Sequence, residues 1–298
     1  MKVPRQSLLA RFVDRTQEVS EFQKLLEQSP SGILCLHGPG GIGKSAVLSR
    51  MMDECEKRGI RWIHIEWEDS RRYNYLDVMR RIRDGTEPAM FQLFNDRVNF
   101  YTVPEYALKI SLEGAPIQNV EVLAGGEIRS SEVTVHVGHS LEIRDLMVNV
   151  PRPDRCVTDA EIVIESTNAF MPCLRGFAAE HPLVVFFDAL EKADPLARKW
   201  ICDELLRRVR DEEITNVFVV LASREHFELD PSFFDCMSGF ELQPFRIDDV
   251  FEYLTKRGVD CEKRLAEFIF ANSERGNPLK IAVSVDNFVR LQDEQRNE

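Results

Sequence analysis

The sequence contains no apolar run that approaches the roughly 20 residues of a membrane-spanning helix. Its longest apolar runs, residues 183–187 and 217–222, have the length of β-strands. The first 15 residues also lack the apolar core, about 7–15 residues long, that a secretory signal peptide contains. We therefore expect a soluble, cytoplasmic protein that does not enter a membrane.

Cysteine motifs are also missing from the sequence. Seven cysteines are scattered along the chain, and no two of them are separated by only two residues. An odd and scattered set argues against a disulfide framework and against a structural zinc site. We expect these cysteines to be buried thiols in a reducing compartment.

Positive charge is scarce relative to negative charge. The 298 residues include 38 Lys and Arg against 50 Asp and Glu, which gives a formal net charge of −12. Nucleic acids and anionic membranes repel a protein of this charge, so we expect neither as a general partner. Apolar residues make up 44% of the chain, which is enough to bury a sizeable core in about two domains.

Short apolar runs alternate with amphipathic segments over most of the chain. We expect strands at residues 32–37, 60–67, 183–188, 217–222 and 240–242. We expect helices at residues 16–28 with Thr16 as N-cap, 44–57, 75–83, 159–179 with a break at Pro172, 195–210, 247–257, 262–273 and 279–292. This alternation predicts an α/β fold in which helices cover both faces of a parallel sheet.

The segment 102–150 departs from this alternation. Its β-favouring runs, residues 106–112, 120–123, 133–137 and 141–150, are separated by glycine-containing turns. We expect a β-rich insertion over 101–155, inside an α/β domain formed by 1–100 and 156–244, with a helical subdomain over 245–298. The insertion is either a surface for self-association or a protein partner, or a subdomain without a binding role.

A glycine-rich motif follows the first predicted strand and matches the P-loop pattern G-x-x-x-x-G-K-[ST]. Its glycines let backbone N–H groups converge on phosphates, and the next helix points its positive end at the same anion. Lys44 supplies a charge for the β- and γ-phosphates, and the Ser45 hydroxyl can ligate magnesium. We expect ATP or ADP with Mg²⁺, bound by Gly38, Pro39, Gly40, Gly41, Ile42, Gly43, Lys44, Ser45 and Ala46.

Charged residues follow two later predicted strands. Asp188 ends an apolar strand, at the edge where open α/β sheets bind ligands, and we expect it to hold the magnesium ion with Ser45. Glu191 is the nearest acid that can orient or deprotonate water, although it could equally be a solvent-exposed acid on a helix. Arg224 follows the strand 217–222 and can sense the γ-phosphate, or it is a surface arginine paired with Glu225.

Four short motifs accompany the P-loop: residues 12–15 (FVDR) followed by Glu18, residues 188–191 (DALE), residues 223–224 (SR) and residues 276–279 (GNPL). In this order the set resembles the STAND class of P-loop NTPases, NACHT-like and NB-ARC-like signal-transduction ATPases related to the AAA+ proteins. The resemblance covers about residues 10–90 and 180–290. Proteins of this class usually continue into a winged-helix domain and a repeat sensor, so we expect either a minimal ATPase or a piece of a longer protein.

The resemblance implies roles for residues outside the P-loop. Phe12, Val13 and Arg15 contact the adenine and ribose side in this class, and Pro278 of the helical lid approaches the base. Two positions depart from the pattern, since Asp14 stands where glycine is usual and Lys192 replaces the second acid of an acidic pair. The missing acid implies that hydrolysis is slow, which suits a switch.

Four functions compete at this stage. The first is a regulatory ATPase in which ATP and magnesium close the lid and favour assembly, with Glu191, Lys44 and Arg224 as catalytic residues. The second is a P-loop kinase for a small molecule, and the third is an AAA+-like loader that acts on nucleic acid. The fourth is a binding module that holds nucleotide without turnover.

Overall fold

The described part of the chain divides into two compact units. Residues 5–67, 73–102, 111–112, 115–116, 132–137, 139–144, 158–226, 231–233, 236–259 and 263–296 are described by a computed structural model. The larger unit comprises Met1–Leu93 and Thr167–Glu298, and the smaller unit comprises Phe94–Ser166.

The described residues contain nine strands and eleven α-helices. The strands are β1 (Gly32–His37), β2 (Arg61–Glu66), β3 (Ser111–Leu112), β4 (Ala115–Pro116), β5 (Glu132–Val137), β6 (His139–Arg144), β7 (Leu183–Asp188), β8 (Val217–Ser223) and β9 (Met237–Glu241). The helices are α1 (Arg5–Ala10), α2 (Thr16–Gln28), α3 (Lys44–Lys57), α4 (Tyr75–Gly85), α5 (Gln92–Thr102), α6 (Asp159–Glu180), α7 (Pro195–Trp200), α8 (Arg207–Arg210), α9 (Ile247–Lys256), α10 (Lys263–Asn272) and α11 (Pro278–Arg296). Short 3₁₀ turns lie at Pro88–Phe91, Leu190–Lys192 and Pro231–Phe233, and a π-helical turn, Ile201–Leu206, joins α7 to α8. No helix in these ranges is both long enough and apolar enough to cross a membrane.

A five-stranded parallel sheet forms the centre of the larger unit. Its strand order is β2-β7-β8-β1-β9, and every neighbouring pair runs parallel. Strands β7 and β8 are buried along their whole length, as expected when helices cover both faces. The predicted α/β fold with a parallel sheet is therefore confirmed. Because all five strands point the same way, their last residues, including His37, Glu66, Asp188 and Ser223, lie along one edge.

The described residues of the larger unit include two hydrophobic cores that position the site. The first lies between the sheet and helices α2 and α3, with Phe22, Leu34 and Met51 fully buried in it. The second lies within helices α9, α10 and α11 and includes Val250, Leu254 and Ile281. We call α9–α11 the lid. Burial of such side chains contributes roughly 1.5–3 kcal/mol each, so each core can hold its own elements together.

The described residues of the smaller unit include two antiparallel strand pairs. Strand β3 pairs with β4, and β5 pairs with β6 in a register that runs from Glu132 opposite Arg144 to Val137 opposite His139. The predicted runs 133–137 and 141–150 overlap β5 and β6. The predicted strand at 120–123, together with residues 106–110 and 145–150, lies outside the described residues.

Local differences from the predicted elements have physical causes. Arg15, not Thr16, is the residue before the first turn of α2. Its backbone is left-handed, and its side chain makes no capping hydrogen bond because a guanidinium has no acceptor atom. Helix α6 continues through Pro172 because Pro172 and Asn168 lie on its exposed face, where water can replace the donor that the Asn168 carbonyl loses. The predicted helix 195–210 exists, but its middle is the π-helical turn.

Candidate functional site

The glycine-rich loop runs from the end of β1 to the start of α3, as its sequence predicts. Gly41 and Gly43 have φ values of +78° and +100°, a left-handed backbone that glycine adopts without steric cost. A Cβ on Gly41 would lie 2.9 Å from Leu279 Cβ, so the lid also packs against the loop too closely for a side chain. The loop therefore needs glycine for its conformation and for contact with the lid.

Lys44 begins α3 with its ammonium folded against the loop. Its Nζ donates to the Gly38 carbonyl at 2.5 Å and to the Pro39 carbonyl at 3.0 Å, and the residue is buried. Burial lowers the pKa of Lys44, the carboxylates of Glu191 and Asp188 raise it, and Arg224 lowers it. These influences show that the structure brings the four predicted charged residues into one electrostatic environment.

Ser45 and Asp188 meet at the carboxyl edge of the sheet. Ser45 Oγ donates to Asp188 Oδ2 at 2.7 Å, and the Ala189 N–H donates to Oδ1 at 2.8 Å. Burial raises the pKa of Asp188, the Ser45 hydrogen bond and the charge of His64 lower it, and the neighbouring Glu66 raises it. A hydroxyl and a carboxylate at this distance present the hard oxygen atoms that Mg²⁺ prefers, so the pair fits that ion.

Glu191 and Arg224 form an ion pair beside the loop. Glu191 Oε2 accepts from the Arg224 backbone N–H at 3.1 Å, and Arg224 Nε lies 3.3 Å from Glu191 Oε1. The Glu191 side chain is 11% exposed and that of Arg224 is 59% exposed. A Cβ on Gly40 would lie 3.6 Å from the guanidinium carbon, which places Arg224 next to the P-loop.

The FVDR motif forms a tight turn before α2. Asp14 and Arg15 have φ values of +58° and +68°. Asp14, which stands where the STAND pattern has glycine, therefore adopts the left-handed backbone that glycine favours. The Arg15 guanidinium donates to the Ile42 carbonyl at 3.3 Å and to the Gln243 carbonyl at 2.5 Å, and it lies over the Phe245 ring. Arg15 therefore connects the P-loop to the segment that enters the lid.

The GNPL motif places the start of α11 on the P-loop. Gly276 has φ +97°, its carbonyl accepts from the Phe245 N–H at 2.8 Å, and an added Cβ would lie 2.1 Å from the Phe245 carbonyl oxygen. Three residues later, the Leu279 N–H donates to the Gly41 carbonyl at 3.1 Å. The lid is thus in direct hydrogen-bond contact with the loop.

A cavity of about 830 Å³ lies between these groups, a size typical of small-molecule sites. The predicted residues that line it are Phe12, Val13, Arg15, Gly40, Gly41, Ile42, Gly43, Lys44, Ser45, Ala46, Asp188, Glu191, Arg224 and Pro278. The predicted residues Gly38 and Pro39 are not among the lining residues; their carbonyls accept from Lys44 Nζ. Residues outside the predicted site also line it, namely Arg11, Val47, Glu66, Trp67, Ala189, Lys192, Phe245, Tyr253, Leu279, Ala282, Val283 and Asp286. Glu66 could have been found, since it is an acid next to the last residue of a predicted strand, whereas Tyr253, Ala282 and Val283 of the lid carry no such signal.

A model of a known protein family matches this chain. A profile of the AAA ATPase domain matches residues 11–220, which is more than half of the chain. No curated protein matches the sequence significantly. Cdc6p from Pyrobaculum aerophilum is similar in structure, with a TM-score of 0.53 and 13% identity over 99% of this chain and 67% of that chain.

Two further solved structures show weaker similarity. A STAND protein with a tetratricopeptide repeat sensor from Pyrococcus horikoshii has a TM-score of 0.47 and 10% identity, over 91% of this chain and 29% of its own. AMPPCP-bound DnaA from Aquifex aeolicus has a TM-score of 0.47 and 12% identity, over 93% of this chain and 62% of its own. This chain therefore spans less than two thirds of both proteins.

Proposed function

Because the chain belongs to the AAA ATPase domain family, we propose that it is a regulatory, STAND-like ATPase whose assembly or partner binding depends on the bound nucleotide. The observation that carries this proposal is the position of the P-loop, which hydrogen-bonds to the lid at Gly41 and lies beside the charged sheet edge. A ligand bound to the loop thus meets both a reactive site and a movable element.

Nucleotide binding in this proposal uses the cavity as a whole. The phosphates lie along the loop and the N-terminus of α3, where backbone N–H groups and Lys44 attract anions. The base and ribose lie toward Phe12, Val13 and Pro278, which supply apolar surface. Ser45 and Asp188 hold Mg²⁺, which when bound neutralises charge on the β- and γ-phosphates.

Hydrolysis in this proposal uses groups at the sheet edge. Glu191 takes a proton from a water whose oxygen bonds to the γ-phosphorus, and the bond from that phosphorus to the bridging oxygen of ADP breaks. Lys44 and Arg224 offset the charge that develops on the transferred phosphoryl group. The products are ADP and inorganic phosphate.

We propose slow turnover because Glu191 is already engaged. Its Oε2 accepts from the Arg224 N–H and its Oε1 faces the Arg224 guanidinium, so both carboxylate oxygens are already in contact with Arg224. The next residue is Lys192, where the STAND pattern has a second acid. A long-lived nucleotide state suits a switch, because the state must persist while a partner is bound.

Separate parts of the chain serve the proposed switch. Residues 1–100 and 156–244 form the nucleotide-binding domain, and residues 245–298 form the helical subdomain that contains the lid. Residues 101–155 form an insertion that offers a surface for self-association or a protein partner. The net charge of −12 supports a protein partner over nucleic acid.

Light scattering after size-exclusion chromatography tests this proposal. The protein is measured with ADP and Mg²⁺, then with a slowly hydrolysed ATP analogue and Mg²⁺, while phosphate release from ATP is followed separately. We expect a larger species only with the analogue, and slow phosphate release. Phosphate transfer to an added small molecule would instead indicate a kinase. A larger species that forms only with added DNA would favour a nucleic-acid loader.

A further inference from the structure

Asn277 occupies the variable position of the GNPL motif, and its side chain joins two elements. Its Oδ1 accepts from the N–H groups of Leu279, at 3.1 Å, and Lys280, at 3.3 Å, and so caps α11. Its Nδ2 donates to the Gly40 carbonyl in the P-loop at 3.3 Å. One amide therefore caps the lid helix and contacts the phosphate-binding loop.

The chemistry of its neighbours fixes which way this amide points. Two backbone N–H donors face one end of the amide, and a carbonyl acceptor faces the other. Rotating the amide by 180° would place donors against donors and an oxygen against the Gly40 oxygen. Only the observed orientation satisfies all three neighbours, so the donor half of Asn277 belongs to the P-loop.

The lid and Arg15 together hold three consecutive carbonyls of the loop. Asn277 binds the Gly40 oxygen, the Leu279 N–H binds the Gly41 oxygen, and the Arg15 guanidinium binds the Ile42 oxygen. In a planar trans peptide the carbonyl and the following N–H point in opposite directions. A lid that holds the Gly40 carbonyl therefore also fixes the direction of the Gly41 N–H.

We propose that Asn277 is a positioning residue that couples lid docking to phosphate binding in the P-loop. The inference rests on the proposed nucleotide-binding function and names a residue through which the lid senses the loop. A phosphate favours the orientation of the Gly40–Gly41 peptide in which the Gly41 N–H faces the ligand, and in that orientation the carbonyl of the same peptide faces Asn277. Bound nucleotide and a docked lid therefore favour each other, and this coupling is reciprocal.

A helix cap alone does not require asparagine. Ser and Asp cap helices about as well as Asn, because a cap needs only an acceptor oxygen. Neither residue carries the amide N–H₂ that reaches the Gly40 carbonyl. The variants Asn277→Ser and Asn277→Asp thus keep the cap and remove the donor, and Asp also adds a negative charge near the proposed phosphate site.

Calorimetric titration with ADP and Mg²⁺ tests the coupling, alongside thermal unfolding without nucleotide and hydrogen exchange of the Leu279 and Lys280 amides. We expect both variants to unfold near the wild-type temperature. We expect ADP affinity to fall about threefold to tenfold in Asn277→Ser, the value of one hydrogen bond, and further in Asn277→Asp. ADP should slow exchange at Leu279 and Lys280 in the wild type and have a smaller effect in Asn277→Ser.

Three results would overturn the inference. Wild-type affinity and ADP-dependent exchange in Asn277→Ser and Asn277→Asp would show that the donor carries no coupling. Weaker binding that merely follows an equal loss of stability in both unliganded variants would reduce Asn277 to a cap. Failure of the wild-type protein itself to bind ADP would remove the proposed function, and the wild-type titration alone reveals that case.

Discussion

A close backbone contact where the chain enters the lid gives a quantitative prediction. Gly276 lies against the segment that enters the lid, and a Cβ there would be 2.1 Å from the Phe245 carbonyl oxygen. Because that neighbour is a backbone atom, it cannot move aside without shifting the segment. Gly276 also has φ +97°, so Gly276→Ala adds a steric clash to a left-handed strain.

A second glycine in the lid separates these two costs. Gly258 follows α9 with φ +69°, and nothing lies within 4 Å of a Cβ built on it. Gly258→Ala should therefore lose only the left-handed preference, roughly 1–2 kcal/mol of unfolding free energy. Gly276→Ala should lose a similar amount and a further 1–3 kcal/mol, roughly, from the clash.

Urea unfolding of both variants measures this difference, with ADP affinity measured in parallel. We expect Gly276→Ala to be less stable than Gly258→Ala and to bind ADP more weakly, because the displaced segment carries the lid away from Gly41. Equal stability of the two variants would refute the close contact between Gly276 and Phe245.

Two substitutions at the sheet edge separate binding from turnover. Glu191→Gln should retain ATP binding and slow phosphate release about 100-fold or more, as loss of a general base does. Glu225 is an exposed acid nearby, and Glu225→Gln should leave the rate unchanged. Equal rates in the two variants would show that Glu191 is not the general base. Asp188→Asn should abolish magnesium-dependent turnover and raise the Tm at neutral pH, because burial raises the pKa of this carboxyl and its ionised form opposes folding. A lower Tm in Asp188→Asn would contradict the burial argument.

Local signals in the sequence account for the central elements. The apolar run 32–37, the glycines and the amphipathic segment after Lys44 predicted β1, the P-loop and α3 with their observed bounds. The strand order β2-β7-β8-β1-β9 was not predictable in this way, because it depends on packing between distant segments. Helix α5 was also not predicted, because no helix or strand was expected between residues 84 and 101.

The candidate site was likewise predictable where its signals are local and not where its contacts join distant segments. The glycine-rich pattern identified Lys44 and Ser45, which are its last two residues. Asp188 was identified because it is an acid at the end of an apolar strand. The hydrogen bonds of Arg15 and Asn277 were not, because both side chains bind backbone carbonyls far away in the sequence. A backbone acceptor leaves no residue-type signal at its own position, so such contacts require the folded structure.

Binding of an ATP analogue with Mg²⁺ to the wild type and to two lysine variants tests the central claim most directly. Lys44→Ala removes the buried ammonium at the loop, and Lys57→Ala removes an exposed lysine at the other end of the same helix. We predict that calorimetry finds tight binding to the wild type and to Lys57→Ala, and about tenfold to hundredfold weaker binding to Lys44→Ala. Equal affinity in all three proteins would contradict the assignment of the P-loop as the nucleotide site.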